Sequence, residues 1–197
     1  MSLSPEEIEA NWKKFRSLIS KLGDRSQTAL NLVDSLGERL CLCPASSRTQ
    51  YHNAFPGGLV DHSLRVLGNA LKLTNAFDWE LPKDSLIIGT LFHDLGKVGN
   101  ESADYYIQQN DGWRADKLGE EYKHNDELPY MTVPERGVYL CNHFGLKLTH
   151  DETLAIRLND GWILNENKPY CLKEPLLAHV VMTADYIATM QEGGKFP

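Results

Sequence analysis

The residues best suited to do chemistry are histidines and aspartates in three short segments. His93 and Asp94 are adjacent at the end of an apolar run, and His62 lies upstream in the segment GGLVDHS. Asp185 lies much later, within the otherwise apolar segment VVMTADYI. Imidazole nitrogens and carboxylate oxygens are ligands that suit divalent metal ions. We therefore predict a compact metal site formed by His62, His93, Asp94 and Asp185, and hydrolytic chemistry.

Each of these residues also has an ordinary structural interpretation. A single histidine beside an apolar stripe is more often a hydrogen-bonded structural residue than a metal ligand. A bare carboxylate at position 185 is costly to bury, so Asp185 needs either a cation or a charged partner such as Arg65 or Arg136. The metal site is the better hypothesis because the segments occur together.

The composition predicts a single globular domain. The chain has 197 residues, of which 42% are hydrophobic and 24% charged, and these are ordinary values for a folded domain. We expect one domain over residues 1–197, in which residues 1–43 form a helical extension packed on the rest. The four cysteines are too few and too scattered for a disulfide scaffold, so we expect free thiols.

Charge and hydropathy limit the partners. The formal net charge of -7 argues against tight binding to long duplex DNA, which requires clustered basic residues. No stretch approaches the ~18 uninterrupted apolar residues of a membrane span. The N-terminus lacks a basic region followed by an apolar one, so the predicted location is cytoplasmic. A small anionic substrate remains compatible with this composition.

Helical periodicity dominates the chain and predicts an all-α fold. Ser4 and Pro5 begin a first helix that Gly23 ends, and capping and periodic patterns place the others. Between the helices, the Asn110-Asp111-Gly112 turn signal predicts a small β-hairpin over residues 104–117 that overhangs the site. The later helices are predicted at residues 25–40, 59–77, 82–94, 133–148, 151–158 and 174–192.

The order of these motifs resembles that of the HD-domain metal-dependent phosphohydrolases: a histidine, then His-Asp, then a distant aspartate. The resemblance runs from about Pro44 to the end of the chain. Residues 44–64 resemble a phage-type and prophage-type branch, and the segment Gly-Gly-Leu-x-x-His also resembles HD-domain 3′-5′ exoribonucleases. The resemblance implies a single HD-domain helical bundle, ligation by the four residues named above, and phosphate ester or anhydride substrates.

Two segments depart from the branch that the chain resembles. Where that branch has Gly-His-Gly-Glu and Ala-Ile-Arg-x-His, this sequence has Val133 and Asn159 in place of the histidines. We therefore predict one ion per chain. His124 and His143 are candidates to compensate as ligands of a second metal or as phosphate contacts.

Further residues are assigned roles in hydrolysis. A divalent ion lowers the pKa of a bound water towards ~7, and Asp94 could both ligate the ion and orient that water. Glu101 is the candidate general acid, on the expectation that the hairpin shields it and raises its pKa. Lys97 is the candidate catalytic cation. The alternative interpretation is that Lys97 is a solvated lysine in a turn. The candidate substrate contacts are His52, Arg48 and Arg65, with Arg136 and Arg157 as further available cations.

The sequence thus predicts a metal-dependent phosphohydrolase acting on a nucleotide or a similar small phosphate ester or anhydride. Its ligand set suits Mn, Fe, Co, Ni, Zn or Mg, and a homo-oligomer is compatible. Three alternatives stay open: a phosphodiesterase or nuclease of short oligonucleotides, a di-iron oxygenase on the same fold, and a nucleotide-binding regulator without catalysis.

Overall fold

The computed structural model describes residues 2–196, and this part of the chain is mostly helical. It contains eight α-helices, two short strands and four 3₁₀ turns. The helices are α1 (Pro5–Ile19), α2 (Ser26–Cys41), α3 (Gly58–Ala76), α4 (Lys83–Phe92), α5 (Gly112–Leu118), α6 (Val133–His143), α7 (His150–Arg157) and α8 (Leu176–Glu192). The strands are β1 (Tyr106–Gln108) and β2 (Tyr122–His124). The 3₁₀ turns span Gly23–Arg25, Leu95–Val98, Gly161–Ile163 and Asn165–Tyr170. The predicted all-α class is confirmed.

Local capping explains where several helices begin. The side chains of Ser4, Thr132 and Thr149 each accept a hydrogen bond from the backbone N–H of a glutamate three residues on. The side chain of that glutamate accepts a hydrogen bond from the backbone N–H of the capping residue. This reciprocal arrangement satisfies two backbone donors that a helix start would otherwise leave unpaired. The predicted helix over 133–148 is too long, because the chain leaves α6 after His143 and Gly145 takes a positive φ of 75°.

The core forms where α3 and α8 pack on each other and on α4 and α7. Val66, Ile88, Val180 and Ile156 are fully buried there. The N-terminal helices add to this core, since Phe15 of α1 contacts Phe92 of α4 with ring centroids 6.4 Å apart. The three helices that carry the predicted ligands are therefore held rigidly by burial of their apolar faces.

The turn after His93 and Asp94 packs closely on α6. A side chain at Gly96 would place its Cβ only 2.0 Å from the carbonyl oxygen of Val133. The buried Arg136 of α6 donates to the Gly96 carbonyl at 3.3 Å, and its guanidinium carbon lies 4.6 Å from the ring centroid of Tyr105. Only glycine allows this approach. The turn that follows His93 and Asp94 is therefore held in place by its packing on α6.

The predicted hairpin is present, but the prediction of its turn is wrong. Strand β1 pairs antiparallel with β2, and Tyr106 lies opposite His124, so the second strand lies beyond the predicted range of 104–117. Asp111 does not sit in a tight turn: its side chain accepts from the backbone N–H groups of Trp113 and Arg114 and begins α5. Aspartate is both a turn residue and a helix cap, and here the cap is formed.

Polar contacts hold this insertion to the helices. Glu120 accepts hydrogen bonds from Arg48 at 3.1 Å, Arg114 at 3.0 Å and Gln109 at 3.0 Å. Arg39 of α2 pairs with Asp104 at 2.6 Å just before β1. No helix within residues 2–196 has the length and apolar character to cross a membrane.

Candidate metal centre

The four predicted ligands meet at one point inside the helical core. His62 comes from the first half of α3, His93 and Asp94 directly follow α4, and Asp185 lies on α8. Nε2 of His62 lies 3.0 Å from Oδ1 of Asp185 and 3.3 Å from Nε2 of His93. Both histidines are fully buried, whereas the Asp185 side chain is 20% exposed. The centre therefore reaches solvent on the Asp185 side.

The donor atoms have the spacing that a metal ion requires. Ligands at about 2.0–2.2 Å from an ion lie about 2.8–3.6 Å apart in tetrahedral or octahedral geometry. The measured separations run from 3.0 Å between His62 and Asp185 to 3.8 Å between His62 and Asp94. The His93 Nε2 lies 3.4 Å from Asp94 and 3.7 Å from Asp185. His62, His93 and Asp94 therefore lie close enough together to hold one divalent ion, and Asp185 lies beside them, within 3.7 Å of both histidines.

Hydrogen bonds behind both rings leave their inner nitrogens available. Nδ1 of His62 lies 2.9 Å from Oε2 of Glu192, and Nδ1 of His93 lies 2.7 Å from the carbonyl oxygen of Thr90. A carboxylate and a carbonyl only accept, so each Nδ1 carries a proton, and Nε2 is the nitrogen that a neutral ring would present to a metal. Such partners orient histidine ligands and raise their basicity. The two Nε2 atoms, which face each other between carboxylates, therefore require either protons or a metal cation.

The electrostatics of the metal-free centre lead to the same conclusion. Burial opposes a charge on His93, but the carboxylates of Asp94 and Asp185 outweigh burial and raise the pKa of His93 to about 10. Burial likewise opposes a charge on His62, yet hydrogen bonds to Asp185 and Glu192 leave the pKa of His62 raised. Without a metal, protons on these rings must therefore balance the carboxylates, and a divalent cation would replace them.

Two neighbours fix the orientation of Asp94. Lys97 places Nζ 2.5 Å from Oδ2, and the amide of Asn159 donates to Oδ1 at 3.3 Å. The Lys97 side chain is only 14% exposed, so its interpretation as a solvated turn residue is wrong. Its partner is the carboxylate of Asp94. The Oδ1 atom of Asn159 is buried and has no hydrogen-bond partner within residues 2–196.

His52 lies against the centre. Its ring centroid is 4.6 Å from that of His62, and its Nε2 atom is buried without a hydrogen-bond partner in the part of the chain that is described. Burial, then the positive charge of Lys97, lower the pKa of His52 to about 3. His52 is therefore neutral at ordinary pH and is placed where a ligand could use its ring nitrogen.

The arginines expected to contact substrate already have partners. Arg48 pairs with Glu120 at 3.1 Å. Arg65 pairs with Glu192 at 3.0 Å and with Asp61 at 3.5 Å. As the alternative partner of Asp185, Arg65 is also ruled out in this structure, because the nearest cationic groups to that carboxylate are the two histidines.

His124 and His143 are not brought to the centre. Both are exposed: His124 stacks on Tyr105 with ring centroids 4.7 Å apart, and His143 lies 5.7 Å from the Tyr139 ring. Within residues 2–196, two groups of His, Cys, Asp or Glu are close enough to hold an ion, and both contain His62. Neither includes His124 or His143, so their expected compensating role is not supported.

Glu101 does not have the environment of a general acid. It is exposed, and its carboxylate accepts a hydrogen bond from the Tyr139 hydroxyl at 3.0 Å. Hydrogen bonds from its own backbone N–H and from Tyr139 lower the pKa of Glu101. The expectation of a shielded carboxyl with a raised pKa was wrong, because the strands lie farther along the chain than predicted.

Sequence reasoning missed Glu192 and Asp160. Glu192 lies seven residues after Asp185 on α8, hence two turns along the same helix face, and this spacing could have indicated it. Asp160 follows Asn159 directly, and loss of hydration together with the charge of Asp94 raises the pKa of Asp160. It lies in a region without a regular hydrophobic pattern, so the sequence carries no comparable signal.

Comparisons with known proteins agree with this geometry. A dihydroneopterin 2′,3′-cyclic phosphate phosphodiesterase from Methanocaldococcus jannaschii is 31% identical over 101 residues, which are 49% of this chain and 37% of that relative. This chain therefore matches just over a third of the length of its relative. No solved structure matches significantly. The HD domain family model matches residues 59–190, which include all four residues of the centre. The chain belongs to the HD domain family.

Proposed function

We propose that this protein hydrolyses a phosphate ester or anhydride of a small, nucleotide-like compound with the help of one divalent metal ion. His62, His93, Asp94 and Asp185 would hold the ion. The observation that carries the proposal is the pair of Nε2 atoms 3.3 Å apart, both buried and both within 4 Å of the carboxylates of Asp94 and Asp185. A divalent ion bound there supplies a Lewis acid and an activated water nucleophile.

The protein's own groups would prepare the centre for this chemistry. Lys97 and Asn159 hold the Asp94 carboxylate in one orientation, and Glu192 and Thr90 hold the two imidazoles. Groups fixed before the reaction need no rearrangement in the transition state, which is the main benefit of such an arrangement. His52 would donate a hydrogen bond to a phosphate oxygen from its unpartnered Nε2, in the tautomer that carries the proton there.

The relationship to a cyclic phosphate phosphodiesterase supports a phosphodiester as the second candidate substrate class. The non-catalytic regulator and the di-iron oxygenase are weaker candidates. A di-iron centre usually needs six ligands, and the two ion-binding groups within residues 2–196 share His62. The phage-type branch, the location of the protein and its oligomeric state stay predictions.

The test is metal analysis followed by a substrate panel. Wild-type protein is loaded with each of Mn, Fe, Co, Ni, Zn and Mg, dialysed, and assayed against nucleoside phosphates, cyclic phosphates and short oligonucleotides. Asp185→Asn is compared with Asp116→Asn, which removes the same charge from an exposed position of α5. We expect about one ion per chain and phosphate ester hydrolysis in wild type and Asp116→Asn, with both lost in Asp185→Asn. Full activity of Asp185→Asn would refute the proposal.

A further inference from the structure

The charge balance around the centre limits the charge of the substrate. The two ligand carboxylates, Asp94 and Asp185, neutralise the charge of one divalent ion. The buried Lys97 ammonium is the nearest additional cation, and it is already bonded to Asp94 at 2.5 Å. One divalent ion, the Lys97 ammonium and the two carboxylates together leave a single net positive charge to attract an incoming anion.

The other cations that might compensate are engaged elsewhere. Arg48 and Arg65 are paired with glutamates, Arg136 is buried and donates to the carbonyls of Gly96 and Met131, and Arg157 donates to the side chain of Asn167 at 2.8 Å. Arg48 and Arg65 contribute little attraction for a second anion, since carboxylates already offset their charges. Arg136 and Arg157 keep their charges, but they already donate to oxygens of the protein.

Asp160 adds a negative charge next to a residue that contacts the centre. Its neighbour Asn159 donates to Asp94 at 3.3 Å, and the Asp160 side chain makes no capping hydrogen bond to the turn that it begins. The charges of Asp94 and Asp185 raise the pKa of Asp160 beyond the effect of lost hydration, while Lys97 and His93 oppose that rise. The Asp160 carboxylate therefore lies within electrostatic reach of the centre.

His52 offers a hydrogen bond beside the centre. Its ring lies against His62 with centroids 4.6 Å apart, and its buried Nε2 has no hydrogen-bond partner in the described part of the chain. A phosphomonoester carries a charge of about −1.5 to −2 at neutral pH, and a polyphosphate carries more. A phosphodiester carries only one negative charge and still presents two oxygens to a metal and a hydrogen-bond donor.

We propose that the centre selects a singly charged phosphodiester over a doubly charged phosphomonoester or a polyphosphate, and that Asp160 is a residue that determines this specificity. The inference rests on the proposed function and refines its substrate class. Repulsion by Asp160 acts once on a monoanion and twice on a dianion. Removal of the Asp160 charge should therefore strengthen dianion binding by about the square of the factor by which it strengthens monoanion binding.

The first experiment measures anion binding without turnover. Inorganic phosphate and dimethyl phosphate are titrated calorimetrically into metal-loaded protein at pH 8, where phosphate is mainly a dianion. In wild type, dimethyl phosphate should bind at least as tightly as phosphate. Asp160→Asn should strengthen phosphate binding about tenfold and dimethyl phosphate binding about threefold. Asp116→Asn, which makes the same change in net charge, should alter neither.

The second experiment measures turnover of two esters with the same leaving group, bis(4-nitrophenyl) phosphate and 4-nitrophenyl phosphate. Asp160→Asn should raise kcat/KM about tenfold for the monoester and about threefold for the diester. Tighter binding of phosphate than of dimethyl phosphate by wild type, or equal effects of Asp160→Asn on both anions, would overturn the inference. If no metal supports hydrolysis of any ester, the proposed function fails, while the binding experiment still decides the question of charge selection.

Discussion

The metal centre and the hairpin insertion are built on opposite principles. The centre places His62 on α3 and His93 and Asp94 directly after α4, and the apolar faces of both helices are buried in the core. The insertion, residues 104–124, has short strands and is held mainly by polar contacts around Glu120. Its side chains are mostly exposed or half-buried.

The difference indicates which part of the molecule carries the chemistry and which part can vary. Packed cores resist small displacements, so ligands that come from them stay within the tolerances a metal requires. Segments with few buried apolar contacts open more easily. We expect substitutions at the centre to abolish metal binding, and substitutions in the insertion to change local order alone.

Asp94→Ala should have the largest effect of all. It removes a ligand and leaves the buried Lys97 ammonium without its carboxylate, which typically costs about 3–5 kcal/mol of stability. Calorimetric unfolding and metal analysis would measure both losses. The double variant Asp94→Ala/Lys97→Met should regain most of the stability and none of the metal. Recovery of metal binding in the double variant would contradict the assignment of Asp94 as a ligand.

Glu192→Ala should weaken metal binding about 10–100-fold, as is typical when a carboxylate behind a ligating histidine is removed. Glu192→Gln keeps an acceptor for His62 Nδ1 at 2.9 Å and should lose less. Competition with a chelator gives the affinities. Nitrogen NMR of the histidine rings in the metal-free protein should show a lower pKa of His62 in the alanine variant, because the Glu192 carboxylate helps to raise it. An unchanged pKa of His62 would contradict this role for Glu192.

The stability of the metal-free protein should fall at high pH. His93 has a pKa raised to about 10 in the fold, against about 6.5 when unfolded. Its contribution, on the order of a few kcal/mol, is complete below pH ~6.5 and is lost as the pH rises through about 10. Thermal unfolding in a chelator at pH 6.5 and pH 10 measures it. Metal-loaded protein should show much less of this decline, because the ion replaces the proton; an equal decline would argue against that exchange.

Glu120→Gln should affect the insertion and leave the centre intact. It weakens the ion pairs with Arg48 and Arg114, so hydrogen exchange and proteolysis should accelerate within residues 106–124. Metal content should equal that of wild type. A drop in metal content would show that the two regions are coupled more tightly than their packing indicates.

Glu101→Gln should have the smallest effect, below about twofold in kcat/KM, since an exposed carboxylate with a lowered pKa is a poor general acid. A loss of a hundredfold or more would restore Glu101 to the catalytic machinery. Tyr139→Phe serves as its control, because it removes only the hydroxyl that donates to Glu101.

The sequence predicted the helices and the four members of the centre well. Apolar spacing and caps such as Thr149 with Glu152 are local signals, and they place α3, α4 and α8 with errors of one or two residues. His62, His93, Asp94 and Asp185 come together because these three helices must bury their apolar faces against each other. Helical periodicity predicts the helices that carry or precede these residues, whereas the grouping of the four came from their types and from the family resemblance.

The partners of charged side chains were harder to predict. Arg48, Arg65 and Lys97 were expected to be available for phosphate, but each has a carboxylate partner. The pairs of Arg48 and Arg65 with glutamates join residues far apart in sequence and depend on packing that local patterns do not encode. Lys97 and Asp94 are only three residues apart, so the spacing could have indicated this pair. Asp111 was misplaced for a different reason, since one residue type serves both turns and helix starts.

The most direct test of the central claim is anomalous diffraction from crystals of the protein loaded with a transition metal that restores activity. The account predicts one strong peak per chain, about 2.0–2.3 Å from Nε2 of both His62 and His93 and from a carboxylate oxygen of both Asp94 and Asp185. A peak bound elsewhere, with these four side chains still paired as in the metal-free arrangement, would contradict it.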